Sequence, residues 1–252
     1  MKRIFFWFST VVLITAVGIL TVCLTCSQPR AARPDKVMDL IRAIEQGDKS
    51  RVAELAHLHW VPVFEDKEGL HIGTGIIYPL HVAAYKGRAE IMQILLNHES
   101  IDVDIRDSSG LTPVMWVVFG SKKENEDPWI ECLDLLAKYG ADLNARSGVS
   151  RFTALHDAAC YGRLKCARRL IQLGADVNVT NSSKNTPLHE ACQMLEPPHS
   201  PKRLEMVKLL VEAGSDVFAK NKFGQTPEDI AREQKHLEVA DYLKAETNKR
   251  KR

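Results

Sequence analysis

Histidine and cysteine recur together in two stretches, His156 with Cys160 and Cys166, and His189 with Cys192. These are the side chains that ligate zinc, or that pair as base and nucleophile in covalent catalysis. Their spacing supports neither chemistry. A structural zinc site draws its ligands from short paired spacings, and these clusters have none. A nucleophile and its base need a third group to orient the base, and nothing in the sequence supplies one. There is no phosphate loop, nucleophile elbow or dinucleotide fingerprint. The chain is therefore read as a non-enzyme, with no catalytic residue, metal, cofactor or small-molecule substrate expected.

The elements that carry these residues repeat. Tyr78-Pro79-Leu80-His81, Thr112-Pro113-Val114-Met115, Thr153-Ala154-Leu155-His156, Thr186-Pro187-Leu188-His189 and Thr226-Pro227-Glu228-Asp229 are five versions of one tetrapeptide, spaced by 34, 41, 33 and 40 residues. A second motif follows at Gly140-Ala141-Asp142-Leu143-Asn144, Gly174-Ala175-Asp176-Val177-Asn178 and Gly214-Ser215-Asp216-Val217. Self-similarity at such a period marks a solenoid. Motif, period and second motif together resemble the ankyrin repeat, over roughly Val37 to Ala245. The resemblance implies an all-α ankyrin-repeat solenoid, built of helix-turn-helix units with β-hairpin fingers. It also implies that the His at the fourth motif position is structural, hydrogen-bonding the neighbouring finger.

Local chemistry agrees with that architecture. Proline opens a helix where its missing amide has no intrahelical partner, and the preceding Thr can cap that helix. The small pairs Ala83-Ala84 and Ala158-Ala159 let neighbouring first helices approach closely. Apolar residues at i, i+3 and i+4 in Ile91–Leu96, Leu164–Ile171 and Leu204–Val211 give each second helix a buried stripe. Gly140, Gly174 and Gly214 supply the left-handed residue that ends it. Val37–Leu58 reads as an opening unit without its finger, and Lys222–Ala245 as a closing one. End units differ because one side meets water. About six units result.

Two spacings carry about seven extra residues, assigned to loops between helices at Ser121–Pro128 and near Leu195–Pro201. One further residue enters the finger around Gly148–Phe152, and His59–Ile77 is longer than a standard finger. Such loops carry function or are tolerated insertions at exposed turns.

The resemblance implies that partners dock on a concave strip formed by the finger turns and the exposed edges of the first helices. Unit by unit this strip comprises Ile77, Tyr85 and Lys86; Ser108, Ser109, Leu111 and Phe119; Ser150, Phe152 and Tyr161; Asn185, Gln193 and Met194; and Lys222, Phe223 and Gln225. Aromatics beside small polar residues are the composition of interface anchors. Tyr85, Phe119, Phe152, Tyr161, Met194 and Phe223 are the candidate protein-binding residues. Phe119, Phe152 and Tyr161 lead because they cluster mid-array beside the irregular finger, and about half of the set is expected to pack under the next finger instead. Cys132 and Cys166 fall at equivalent positions about 10 Å apart, too far for a disulfide. Cys160 with Cys166 is the only local pair to consider, and buried free thiols are the default. Asn178 and Asn181 begin formal glycosylation sequons.

The net charge of +2 conceals an uneven distribution. Four basic residues lie in the first 33 and four close the chain, so the body between Pro34 and Thr247 carries about −6. A body of that sign is no nucleic-acid platform, which needs a basic stripe. The closing residues 247–252 read as a solvated basic tail. From Ile4 to Cys26 no residue is charged, and that run as a helix spans about 34 Å, enough to cross a hydrocarbon core. Residues 1–27 are thus a signal-anchor or a long signal peptide, and 28–36 a linker to the repeat domain at 37–246. Length favours the anchor, while Thr25 and Ser27 leave cleavage before Gln28 open. Leu20-Thr21-Val22-Cys23 resembles a bacterial lipoprotein box, with Val22 departing from its small residue, so lipidation of Cys23 is a minor reading. The repeats are expected to be membrane-anchored or periplasmic. There they would bind a protein partner through the concave face and mask, inhibit or stabilise it, as an immunity or inhibitor protein does. The alternatives are an accessory factor to an envelope redox or catalase-type defence enzyme, and a host-directed ankyrin effector.

Overall fold

The computed structural model describes residues 34–58, 63–64, 76–98, 101–121, 126–193 and 201–251. The apolar run 4–26, expected as a membrane helix and containing Cys23, lies outside them. Among the described residues twelve helices follow in pairs. The first three pairs are α1 Pro34–Gln46 with α2 Lys49–Leu55, α3 Pro79–Tyr85 with α4 Ala89–Leu96, and α5 Pro113–Gly120 with α6 Asp127–Lys138. The others are α7 Ala154–Cys160 with α8 Leu164–Gln172, α9 Pro187–Gln193 with α10 Pro201–Glu212, and α11 Pro227–Glu233 with α12 Leu237–Arg250. The first helices pack in one row, α3 through α5, α7 and α9 to α11, and the second helices in another, α2 through α4, α6, α8 and α10 to α12. The core lies between the rows.

The motif residues explain the row. Ala83, Ala84, Ala158 and Ala159 are fully buried and bring neighbouring first helices together, while Leu95, Leu136, Leu170 and Leu210 fill the space beneath. Each such Leu is worth about 2 kcal/mol of burial, and truncation to Ala costs about 2–5 kcal/mol. The second helices stop as expected. At α6, Gly140 (φ 82°) lets its own N–H reach Ala137 O and the Ala141 N–H reach Leu136 O, both at 3.0 Å, which caps the last carbonyls. The Gly-Ala-Asp-x-Asn motif then links units. Asn144 Oδ1 accepts from Asp176 N, and Asn178 Oδ1 from Asp216 N, each at 2.8 Å.

The fingers differ from expectation. They are tight turns in place of paired strands, each closed by a backbone bond, Asp107 N to Leu111 O, Ser147 N to Phe152 O, Asn181 N to Asn185 O and Asn221 N to Gln225 O, and three of them by a second, from Gly110 N, Lys184 N and Gly224 N back to the carbonyls of Asp107, Asn181 and Asn221. The reason is chemical. Asp107 Oδ1 accepts from the N–H groups of Ser109 and Leu111, Asn181 Oδ1 from Ser183 and Asn185, and Asn221 Oδ1 from Phe223 and Gln225. A side-chain oxygen therefore takes the donors that a strand ladder would use. The strand pairing that does occur lies in the long stretch before α3, where β1 Val63–Phe64 runs antiparallel to β2 Ile76–Ile77.

Neither insertion is purely a loop. Asp127 and Pro128 open α6, and Pro201 opens α10, so each of these helices has twelve residues against eight in α4. Proline fits the first helical turn, where no amide is needed. The added turn has structural work. Trp129 Nε1 donates to Tyr85 O at 3.0 Å, and Glu126 Oε2 accepts from Cys166 N, an otherwise unpaired donor in the first turn of α8, at 3.0 Å. The basic end is likewise ordered further than a solvated tail would be. α12 runs to Arg250, whose guanidinium donates to Ser215 O at 2.8 Å and Val211 O at 3.1 Å, a cation on carbonyls at the end of α10.

Candidate functional site

The motif histidines are spent on structure. Each Nδ1 accepts from the backbone N–H three residues earlier, at Tyr78 for His81, Thr153 for His156 and Thr186 for His189. Nε2 therefore carries the proton and donates to the carbonyl of the next finger: Leu111 O at 3.2 Å, Asn185 O at 3.0 Å and Gln225 O at 3.2 Å. Burial pushes His81 and His156 down to about 4 and lowers His189. A neutral ring with both nitrogens engaged has no lone pair for a metal or a substrate proton. At the second full unit Met115 replaces His, and the buried Thr112 hydroxyl has no partner as a result.

The thiols are equally closed. Cys132, Cys160, Cys166 and Cys192 are free. Burial pushes Cys132, Cys166 and Cys192 up to about 12 and Cys160 to about 11, so none carries thiolate at neutral pH. Among the described residues no group of three or more His, Cys, Asp or Glu side chains could hold a metal. Of the sequon residues, Asn181 is 6% exposed and donates its amide to Glu190 Oε1 at 2.9 Å, which leaves no room for a glycan. Between the outer helices α4 and α6 lies an open groove of about 470 Å³, lined among others by Glu90, Gln93, Asp134 and Leu135. Two of its three acids are tied up, Glu90 by Lys49 and Asp134 by Arg169.

The candidate aromatics separate into three environments. Tyr85 packs edge-on against the buried Trp116, with centroids 6.0 Å apart. Phe152 stacks on His156 at 5.4 Å, so of the three leading candidates it is the one that serves the array. Phe119 and Tyr161 meet edge-to-face at 5.8 Å, joining α5 to the residue that ends α7. Phe119 is half-buried and Tyr161 is 36% exposed. Phe223 stands apart at the last finger, 72% exposed, with Lys222 Nζ 5.0 Å over its ring. Met194 lies outside the described residues. Ile77 and Asn185, expected on the surface strip, are buried: the Ile77 side chain is covered, and the Asn185 amide is needed for Glu190 Oε1 at 2.9 Å. Lys86 is drawn to Glu45 at 3.1 Å.

Sequence reasoning missed two buried acids beneath this surface. Asp157 on α7 is 4% exposed, its Oδ2 has no partner, and burial, with Glu190 adding repulsion, pushes it up to about 8. Glu190 on α9 is also raised by burial, although the amides of Asn181 and Asn185 pull it back. Both residues follow the motif His, at the position of Val82 and Trp116. Aligning the units would have shown them in a core register.

Comparison with known proteins bears on most of the array. A family model described as Ankyrin repeats matches in three overlapping copies, at residues 40–147, 80–181 and 124–221. The chain is 37% identical over 98 residues to the neurogenic locus Notch protein of Drosophila melanogaster, covering 36% of this chain and 4% of that one. It is 29% identical over 147 residues to the human transient receptor potential cation channel subfamily A member 1, covering 55% and 12%. It is also 35% identical over 103 residues to the neurogenic locus notch homolog protein 1 of Danio rerio, covering 38% and 4%. The likeness thus spans a small part of each of these relatives.

Proposed function

The chain belongs to the ankyrin-repeat family, whose repeats indicate a protein–protein interaction role, and we propose that it acts by occupancy. A protein partner lies across the concave side formed by the first helices and finger turns, and is masked, inhibited or stabilised while it is held. One observation carries this reading. Phe119 and Tyr161 form an edge-to-face pair at the exposed ends of adjacent first helices, where neither is needed to fill the core. A rigid aromatic pair of that kind, half desolvated before binding, has the composition and geometry of an interface anchor. The buried histidines and thiols, engaged or protonated as described, support binding over turnover.

The test is capture of partners by the tagged full chain, beside a Phe119→Ala/Tyr161→Ala variant whose melting temperature is checked in parallel. The expected result is a discrete partner lost in the variant while its fold is retained. A partner captured equally by both chains would remove the concave face from consideration.

The apolar run 4–26 motivates a second part of the proposal, that the array is tethered at a membrane and faces away from the cytoplasm, as an immunity or inhibitor protein would. Protease protection in intact cells tests it. A chain recovered in the soluble cytoplasmic fraction would sink this part and leave the scaffold reading untouched.

A further inference from the structure

The fingertips are joined directly to one another. Gly148 N donates to Ser109 O at 3.1 Å, Ser182 N to Ser150 O at 3.1 Å, and Lys222 N to Ser183 O at 2.9 Å. This ladder fixes a row of cations. Arg151 follows Ser150, Lys184 follows Ser183, and Lys222 is itself a rung. All three are exposed, and among the described residues none is in an ion pair or donates a side-chain hydrogen bond. Glu233, at the end of α11, accepts from Gln225 Nε2 at 2.7 Å and makes no pair with Lys222.

Backbone geometry marks two of these cations, as it also marks Lys235 (φ 61°) at the turn between α11 and α12. The last turn position is Gly110 in one finger and Gly224 in another, with φ 76° and 77°. In the two fingers between, Arg151 and Lys184 hold that place, with φ 55° and 57°. An L-residue occupies that region at a cost, and glycine does not. The fold gets no bond in return from either side chain. Strain kept without a structural return marks a site that something else uses.

We propose that the fingertip row Arg151, Lys184 and Lys222 is a docking strip for an acidic, extended segment of a protein partner. This rests on the scaffold reading and names the chemistry of what is held. Val149, 97% exposed, and Phe223, 72% exposed, lie at the two ends of the row and add apolar contact. Adjacent units stack about 10 Å apart. A polyproline-like segment advances about 9 Å per turn of three residues, so an acid at every third position meets one cation per finger. Nucleic acid fits less well. The body carries about −6, and a long polyanion samples that whole surface, whereas a short acidic segment within a Debye length of about 8 Å senses the row alone.

The probe is a fluorescein-labelled peptide of repeating Glu-Pro-Pro units, titrated into the full chain beside its Gln-Pro-Pro counterpart. The expected result is binding about tenfold or more tighter for the glutamate peptide, weakened by salt, and lost in an Arg151→Gly/Lys184→Gly variant. Glycine relieves the backbone, so the melting temperature of that variant should hold or rise. Should it fall, Lys184→Gln carries the test with the same expected loss of peptide. Equal binding of the two peptides, or unchanged binding by the variants, overturns the proposal. So does tighter binding of a single-stranded oligonucleotide lost in the same variants. The reading of the aromatic pair as anchor fails separately, if partner capture survives Phe119→Ala/Tyr161→Ala.

Discussion

Asp157→Asn should stabilise the chain, and by more at pH 8 than at pH 6. The carboxyl sits on a first helix with Oδ2 unpartnered, and burial pushes it from 3.8 up to about 8. Its folded pKa is thus above its unfolded value. The folded state holds the proton between those two limits and the unfolded state does not, so stability is present below pH 3.8 and drains away as pH rises toward 8. The slope is about 1.4 kcal/mol per pH unit in that window. Asn has the same shape and no titration. From pH 6 to pH 8 the gap in unfolding free energy between variant and parent should widen by about 2 kcal/mol, since the slope flattens near the upper limit. His81 and His156 work in the opposite direction. Burial lowers them to about 4, so they remove stability as pH falls from 6.5 toward 4. Both chains carry them, and they cancel in the gap. The assay is urea denaturation at the two pH values with equal m-values. Work above pH 8 is avoided because the three buried thiols and the half-buried Cys160 add a loss of their own there as the unfolded chain ionises. A gap that stays constant would refute the reasoning, since Asp157 would then be ionised or paired in the folded chain.

Three further substitutions test the account of the repeats. Thr112→Val replaces a buried hydroxyl that has no partner and should be neutral or stabilising, whereas Thr153→Val, which removes the hydroxyl 2.9 Å from His156 Nδ1, should cost about 1–2 kcal/mol in the same denaturation assay. Gly120→Ala places a methyl against Tyr85 O and the Trp129 indole nitrogen and should cost about 2–3 kcal/mol despite the better helix propensity of Ala, with a matching fall in the urea midpoint.

What could be read from the sequence was whatever repeats by short, fixed contacts. The role of His156 was legible because its partners lie three residues back and one unit on, both set by the period. The stops at Gly140, Gly174 and Gly214 were legible for the same reason. The finger conformation was not, since it turns on which acceptor takes the N–H groups of residues such as Ser183 and Asn185, and the Asn181 side chain wins over a neighbouring strand. Nor was the fate of each aromatic. Phe152 and Tyr161 are both aromatic residues flanking α7, yet one stacks on a histidine and the other opens toward solvent. That choice depends on the direction of single side chains around one irregular finger.

The same contrast separates scaffold from surface. Where a residue's type is explained by its bonds, as with Glu126 capping α8 or Arg250 on the carbonyls of α10, the fold is sufficient reason for it. Phe119, Tyr161, Arg151 and Lys184 are among the residues for which the fold is not. Two hold exposed aromatic surface at helix ends, and two hold charge at turns that glycine fills without strain elsewhere in the array. Local rules broken without a local return are expected at working sites and rarely elsewhere. All four lie on the first helices or finger turns, in the units from α5 to α9. A ligand that spans those units can engage the aromatic pair and the cations at once, and this makes the two proposals separable by mutation yet parts of one surface.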